Sequence, residues 1–221
     1  MIVEAMSYEE IVNSYKKETL EVQRKCCSII RQNLSLYKRT IFSRTRPGSV
    51  FFRPVDFKSS SCNDYSMQVF VYDKASFKKS GLRYYSFLYY LNKSGIHVVI
   101  DSACNLVSDT FFAIFIPHFF ERYRMRFLKD DSLGMKETIY TYFKANQGGS
   151  FMPVPSEKYK DNFYCAVNDG IALGTKINDE IVLVKTFITF EMLKGQQVDI
   201  GDNLGDLLCV FMDGHKQLGL I

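Results

Sequence analysis

The sequence contains no tryptophan, only five prolines and only three histidines. So few prolines, together with 13 glycines, exclude collagen-like and low-complexity chains. Three histidines make a multi-histidine metal centre hard to assemble. The longest apolar stretch, residues 111–120, is about half of a membrane span and is interrupted by Pro117. We therefore expect no membrane partner.

Standard catalytic signatures are also missing. The chain has no glycine-rich phosphate loop, no H-E-x-x-H and no G-x-S-x-G. The six cysteines form no C-x-x-C pair, and the N-terminus lacks the basic start and apolar run of a signal peptide. These absences predict a cytoplasmic protein with reduced cysteines and with no metal or other cofactor.

Aromatic residues make up 15% of the chain, which is enough large apolar surface to offset the entropy of folding. Ser7, followed by Glu9 and Glu10, predicts a helix start, and apolar residues recur at helical spacing to about Leu36. One long helix or two with a bend at residues 19–22 would fit. We expect residues 1–46 to form an N-terminal helical extension and residues 47–221 to form one α+β domain.

Short apolar runs separated by turn residues predict the rest of the fold. The expected strands are residues 50–55, 68–72, 83–91, 96–101 and 110–116, followed by a three-stranded meander at 162–167, 171–175 and 180–188. The expected helices are residues 118–128, 136–146, 189–193 and 204–212. The predicted class is α+β, a mostly antiparallel sheet with interrupting helices.

Charge is distributed unevenly along the chain. Residues 1–100 carry sixteen Lys and Arg against eight Asp and Glu, whereas residues 101–221 carry twelve against sixteen. Much of the excess lies between Lys16 and Lys58. Such a segment can attract phosphate backbones, or it can be the solvated face of a helix. Both interpretations remain open.

The segment after Pro117 carries the best candidate site. On a helix, His118, Arg122 and Arg126 would span about 80° of the surface, beside an aromatic arc that would face the core. Glu121 and Arg124 would face solvent. An imidazole and two guanidinium groups suit phosphate, because arginine donates in a bidentate fork and histidine exchanges protons near neutral pH. Alternatively, both arginines pair with nearby acids and the histidine is structural.

This order of elements resembles small toxin proteins of the barnase/RelE-like superfamily, in particular its BrnT-like and related uncharacterised branches. The resemblance rests on His-x-x-x-Arg-x-x-x-Arg on a helix, a second helix, and a meander whose last strand ends in Lys185-Thr186-Phe187-Ile188-Thr189. It covers residues 117–193, about a third of the chain.

The resemblance implies a metal-independent ribonuclease, encoded on a mobile element and paired with a cognate antitoxin. It makes His118 the acid or base, with Arg122 and Arg126 on the scissile phosphate. Lys185 or Thr186 would contact that phosphate, although strand alternation lets at most one of them face the site, and both can be structural. The alternative function is a non-catalytic module that binds a partner or a second copy of the chain.

Overall fold

The computed structural model describes residues 1–102, 111–146, 154–155 and 161–192. The chain divides into two compact units, residues 1–93 and residues 94–221. The cysteines at positions 104 and 209 and the helix expected at 204–212 lie outside the described residues.

The first unit begins with helix α1 (Tyr8–Ser43), which is continuous over 36 residues. A capping box starts it: the Ser7 hydroxyl accepts a hydrogen bond from the Glu10 amide at 3.3 Å, and the Glu10 carboxylate accepts one from the Ser7 amide at 2.7 Å. The start was predicted from these residues. The expected end near Leu36 was too early, because Tyr37 and Ile41 continue the buried face.

The strands of the first unit form a small antiparallel sheet. It contains β1 (Val50–Phe51), β2 (Val55–Lys58), β3 (Asp64–Val71) and β4 (Arg83–Asn92). Both β1 and β2 pair with β3, which also pairs with β4. The expected strand 50–55 is therefore two short strands, separated around Pro54, which has no amide hydrogen to donate.

Helix α1 packs against this sheet. Its Tyr15 ring lies 6.0 Å from the Tyr65 ring, and its Tyr37 ring lies 4.4 Å from the Phe52 ring. The expected boundary between residues 46 and 47 falls inside the first unit. We place the division after Lys93 instead, because the buried face of α1 forms part of this unit's core.

Helix α2 (Lys74–Ser80) was not predicted from the sequence. Asp73 caps it by accepting a 2.6 Å hydrogen bond from the Ser76 amide, and Gly81 ends it with a φ of 75°. The helix is too short to show an apolar period, so its caps were the only available signal.

The second unit contains a mixed sheet. Its strands are β5 (Gly95–Ser102), β6 (Phe111–Phe115), β7 (Val154–Pro155), β8 (Asn162–Val167), β9 (Gly170–Lys176) and β10 (Ile181–Ile188). They lie in the order β5-β6-β10-β9-β8-β7. Every pair is antiparallel except β6 with β10. The predicted meander is confirmed as β8, β9 and β10.

Helices α3 (Pro117–Tyr123) and α4 (Met135–Asn146) pack on this sheet through aromatic rings. The Phe119 ring contacts those of Phe115, Tyr142 and Phe187 at centroid distances of 5.0, 5.0 and 6.0 Å. A short 3₁₀-helix, Phe190–Met192, follows β10 where a helix at 189–193 was expected. The α+β class with a mostly antiparallel sheet and a helical N-terminus is confirmed.

Candidate functional site: a His-Arg-Arg helix on the second unit

The helix that carries the candidate site changes type halfway along. Pro117 starts α3, as expected of a residue with no amide hydrogen to donate in the first turn. The chain continues as a π-helix, Arg124–Leu128, which ends where the Lys129 amide donates to the Arg124 carbonyl at 2.8 Å. A π-helix has a wider turn than an α-helix, so side chains beyond Tyr123 leave the positions that a regular helix predicts.

Two expectations for this segment were wrong, the first of them because of the wider turn. Phe127 was expected in the core, but its side chain is 40% exposed. Arg124 was expected to face solvent, but its Nη1 donates to the Leu133 carbonyl at 2.9 Å. Its Nε is buried with no partner among the described residues. Arg124 therefore helps to fix the turn that follows the π-helix.

His118 and Arg122 are in direct contact. The Nε of Arg122 donates to the Nε2 of His118 at 3.1 Å, and the His118 side chain is about half exposed. Because Nε2 accepts this bond, we assign the proton of the neutral imidazole to Nδ1. The structure thus brings together, on an open surface, two of the three residues predicted from the sequence.

Glu121 lies beside His118 and was missed as a site residue. One of its carboxylate oxygens, Oε2, lies 3.6 Å from the Nδ1 of His118, and both side chains are nearly half exposed. The signal was present in the sequence, since residues three apart on a helix are neighbours. A carboxylate beside Nδ1 favours the tautomer that leaves the Nε2 lone pair available.

Arg126, four residues beyond Arg122, is partly engaged elsewhere. Its Nη1 donates to the carbonyl oxygen of Phe187 on β10 at 2.5 Å. Burial lowers the pKa of Arg126, and the positive charge of Arg122 lowers it further. Like charges on neighbouring side chains disfavour each other, and a bound anion would offset that repulsion.

Lys185 and Thr186 lie at an irregularity of β10. The pairing with β9 shifts register between Val184 and Thr186, so Lys185 is an extra residue in a bulge. Lys185 is exposed and Thr186 is half-buried. Within the part of the chain that the structure describes, neither side chain forms a hydrogen bond with His118, Arg122 or Arg126. Their predicted contact with phosphate stays a prediction.

A second polar cluster lies on the same unit and was not predicted. The Tyr123 hydroxyl and the Asn146 side-chain amide both donate to Asp169 Oδ2, at 2.6 and 3.0 Å. Burial raises the pKa of Tyr123, and its bond to Asp169 raises it further. This cluster joins α3 and α4 to the β8–β9 turn and holds the base of the helix that carries His118.

Neither a metal cluster nor a membrane-spanning helix is found among the described residues. No group of three or more of their His, Cys, Asp and Glu side chains is arranged to hold a metal ion. None of the helices they form combines the length and the hydropathy needed to cross a bilayer. The four cysteines in these ranges, Cys26, Cys27, Cys62 and Cys165, are free thiols.

Comparison of the chain with family models, with curated proteins and with solved structures gives no match.

Proposed function

We propose that this protein binds RNA and cleaves it without a metal ion at the surface formed by His118, Arg122 and Arg126. The observation that carries the proposal is the 3.1 Å contact between Arg122 Nε and His118 Nε2 on an exposed surface. It places a cation that can hold phosphate beside a nitrogen that can accept a proton. The resemblance to barnase/RelE-like toxins supports RNA as the substrate.

Phosphate binding would free the imidazole. In the structure Arg122 Nε donates to the Nε2 lone pair of His118. A phosphate offers arginine two charged acceptors and a bidentate geometry, which is a stronger interaction than one bond to a neutral imidazole. We expect Arg122 to turn to the phosphate, with one nitrogen of Arg126 joining it, while Glu121 keeps the His118 ring in place.

The cleavage step follows from that arrangement. His118 Nε2 takes the proton of the ribose 2′-hydroxyl, and the 2′-oxygen attacks the neighbouring phosphorus. A bond forms between phosphorus and the 2′-oxygen, and the bond to the 5′-oxygen breaks. The leaving oxygen takes a proton from water, and the hydroxide left behind takes the proton from His118, which restores the base. The guanidinium groups stabilise the charge that develops on the phosphate. The products are a 2′,3′-cyclic phosphate and a 5′-hydroxyl.

The test compares the wild-type protein with His118→Ala and Arg122→Gln, incubated with end-labelled RNA in EDTA. We expect wild type to give a 2′,3′-cyclic phosphate end, and each variant to cleave at least about 100-fold more slowly, the contribution typical of a positioned acid or base. Lys144→Gln, an exposed cation on α4, is the matched control and should cleave like wild type. Equal cleavage by wild type and His118→Ala would refute the catalytic role.

A further inference from the structure

Helix α1 carries a row of four cations at seven-residue spacing: Lys17, Arg24, Arg31 and Lys38. All four side chains are exposed. At about 3.6 residues per turn the four positions fall within about 60° of the helix circumference, and neighbours in the row are about 10.5 Å apart. The row is therefore nearly straight and about 32 Å long.

The row lies on the side of α1 that faces away from the core. The residues of α1 that are buried, including Tyr15, Val22, Cys26 and Tyr37, lie on the opposite side of the helix. The row therefore points into solvent from a helix that the unit's own core holds rigid. Binding would cost little conformational entropy of the backbone, because the helix is already ordered.

Carboxylates that could neutralise the row are scarce. Residues 22–55 contain eight Lys and Arg and no Asp or Glu. At the chain's average of 24 acids in 221 residues, a segment of that length would hold three or four. Within the described residues, Arg24, Arg31 and Lys38 form no ion pair, so their charge remains available to a partner.

The two acids between Lys17 and Lys38 are both engaged. Glu18 is 4% exposed and accepts hydrogen bonds from Asn63 and Tyr65. Glu21 accepts two bonds at 2.6 Å from Ser60, one from its amide and one from its hydroxyl. Both carboxylates thus hold the loop before β3 rather than neutralising the row.

We propose that the row of Lys17, Arg24, Arg31 and Lys38 is a docking surface for the phosphate backbone of a nucleic acid. A polyphosphate chain is a linear array of negative charges, and a protein that neutralises several phosphates gains affinity by releasing counterions. The row's length of about 32 Å matches about one turn of a duplex, or several nucleotides of a single strand.

An anionic membrane is the competing partner of the same charge, and the fold disfavours it. Helices that lie in a membrane interface insert an apolar face between the lipids. The apolar face of α1 is buried within its own unit, and the large apolar side chains that α1 exposes, Leu20, Leu36 and Phe42, are too widely spaced to form such a face. The surface that α1 offers is mainly cationic and polar.

This inference extends the proposed contact with RNA to the first unit, but it does not depend on cleavage at His118. The probe is a fluorescein-labelled 2′-O-methyl RNA of 20 nucleotides, which lacks the 2′-hydroxyl that the cleavage step needs. Binding is measured by anisotropy from 50 to 300 mM NaCl. A matching DNA strand and an RNA duplex distinguish the type of nucleic acid.

The row variant replaces Lys17, Arg24, Arg31 and Lys38 by glutamine. The matched control replaces two other exposed arginines and two other exposed lysines of the same unit, Arg46, Arg53, Lys78 and Lys79, by glutamine and removes the same total charge. We expect the row variant to bind at least ten-fold more weakly than the control at 100 mM salt. The slope of log affinity against log salt should fall by about 3, since each phosphate contact with a single strand contributes about 0.7.

Three results would overturn the inference. The first is that wild type does not bind the 2′-O-methyl RNA. The second is that the row variant and the control bind within two-fold of each other, so that only total charge matters. The third is that the row variant binds phosphatidylserine vesicles more weakly than wild type does but binds RNA equally well. Loss of cleavage in His118→Ala with unchanged RNA binding would leave the inference intact, so the two proposals fail separately.

Discussion

Arg126 donates a 2.5 Å hydrogen bond to the carbonyl oxygen of Phe187, and so connects the π-helix to the strand beneath it. The Phe187 ring lies under the same helix, 5.0 Å from the Tyr123 ring and 6.3 Å from the Phe127 ring. Arg126, one of the three predicted phosphate ligands, therefore also stabilises the packing of this helix on β10. A guanidinium has five N–H donors, so the bond to Phe187 leaves the other four for an anion.

Arg126 stabilises the fold through this bond and is also a proposed phosphate ligand. We therefore expect its substitution to affect stability more than substitution of Arg122 does. Arg126→Gln should lower the free energy of unfolding by about 1 to 2 kcal/mol, because a charged hydrogen bond to the carbonyl of a buried residue is lost. Arg122→Gln should change it by less than about 0.5 kcal/mol, because among the described residues Arg122 bonds to a half-exposed imidazole alone. Urea unfolding followed by circular dichroism measures both. Equal stability of the two variants would show that the bond to Phe187 contributes nothing.

We expect the stability of the protein to depend on pH through the carboxyl group of Glu18. Burial raises the pKa of Glu18, but hydrogen bonds from Asn63, Ser61, Tyr65 and Ser59 together outweigh burial, so the pKa lies below the ordinary value of 4.5. A carboxyl group whose pKa is lowered by folding stabilises the native state fully above its unfolded pKa. We expect that contribution to be present above about pH 5 and to disappear as the pH falls through the folded-state value.

The measurement is the melting temperature between pH 7 and pH 3 for wild type, Glu18→Gln and Glu21→Gln. At pH 7, Glu18→Gln should lose about 1 to 3 kcal/mol, because an amide cannot accept every bond that the buried carboxylate accepts. The difference should shrink as the pH falls below 4. Glu21 is half-buried, so Glu21→Gln should cost less. A pH-independent difference for Glu18→Gln would contradict the assignment.

The sequence predicted the bounds of the helices and strands better than it predicted how the strands pair. Strands β8, β9 and β10 were placed within one residue at each end, because each is a short apolar run between turn residues. The pairing of β10 with β6 is parallel, and a parallel pair depends on a connection whose path no local pattern encodes. The π-helix was likewise not predictable, since residues 118–128 keep an α-helical apolar period.

The same limit applies to the candidate site. Contact between His118 and Arg122 followed from their spacing of four on a helix. The partner of Arg126 is a backbone carbonyl 61 residues away in sequence, which no side-chain pattern could indicate. The cation row on α1 was visible only as an excess of charge, because its direction depends on which face of the helix is buried.

Gly174 provides a test of the β9–β10 pairing on which the candidate site rests. A Cβ atom at this position would fall inside the van der Waals radius of the Leu183 carbonyl oxygen and 2.6 Å from the Phe163 ring. Gly174 pairs with Val184, directly before the bulge at Lys185, so the backbone has no free space on either strand. Gly174→Ala should destabilise the second unit by about 3 kcal/mol, at the upper end of overpacking effects.

Gly134→Ala is the matched control, since the atom nearest to an added methyl group there would be a Glu137 carboxylate oxygen at 3.5 Å. Gly134 precedes α4, so this variant should lose no more than about 1 kcal/mol, the cost of alanine at a helix start. Thermal unfolding and the soluble fraction after expression compare the two variants. If Gly174→Ala is as stable and as soluble as Gly134→Ala, strands β9 and β10 are not packed as closely as the structure places them, and the position of Arg126 against Phe187 fails with them.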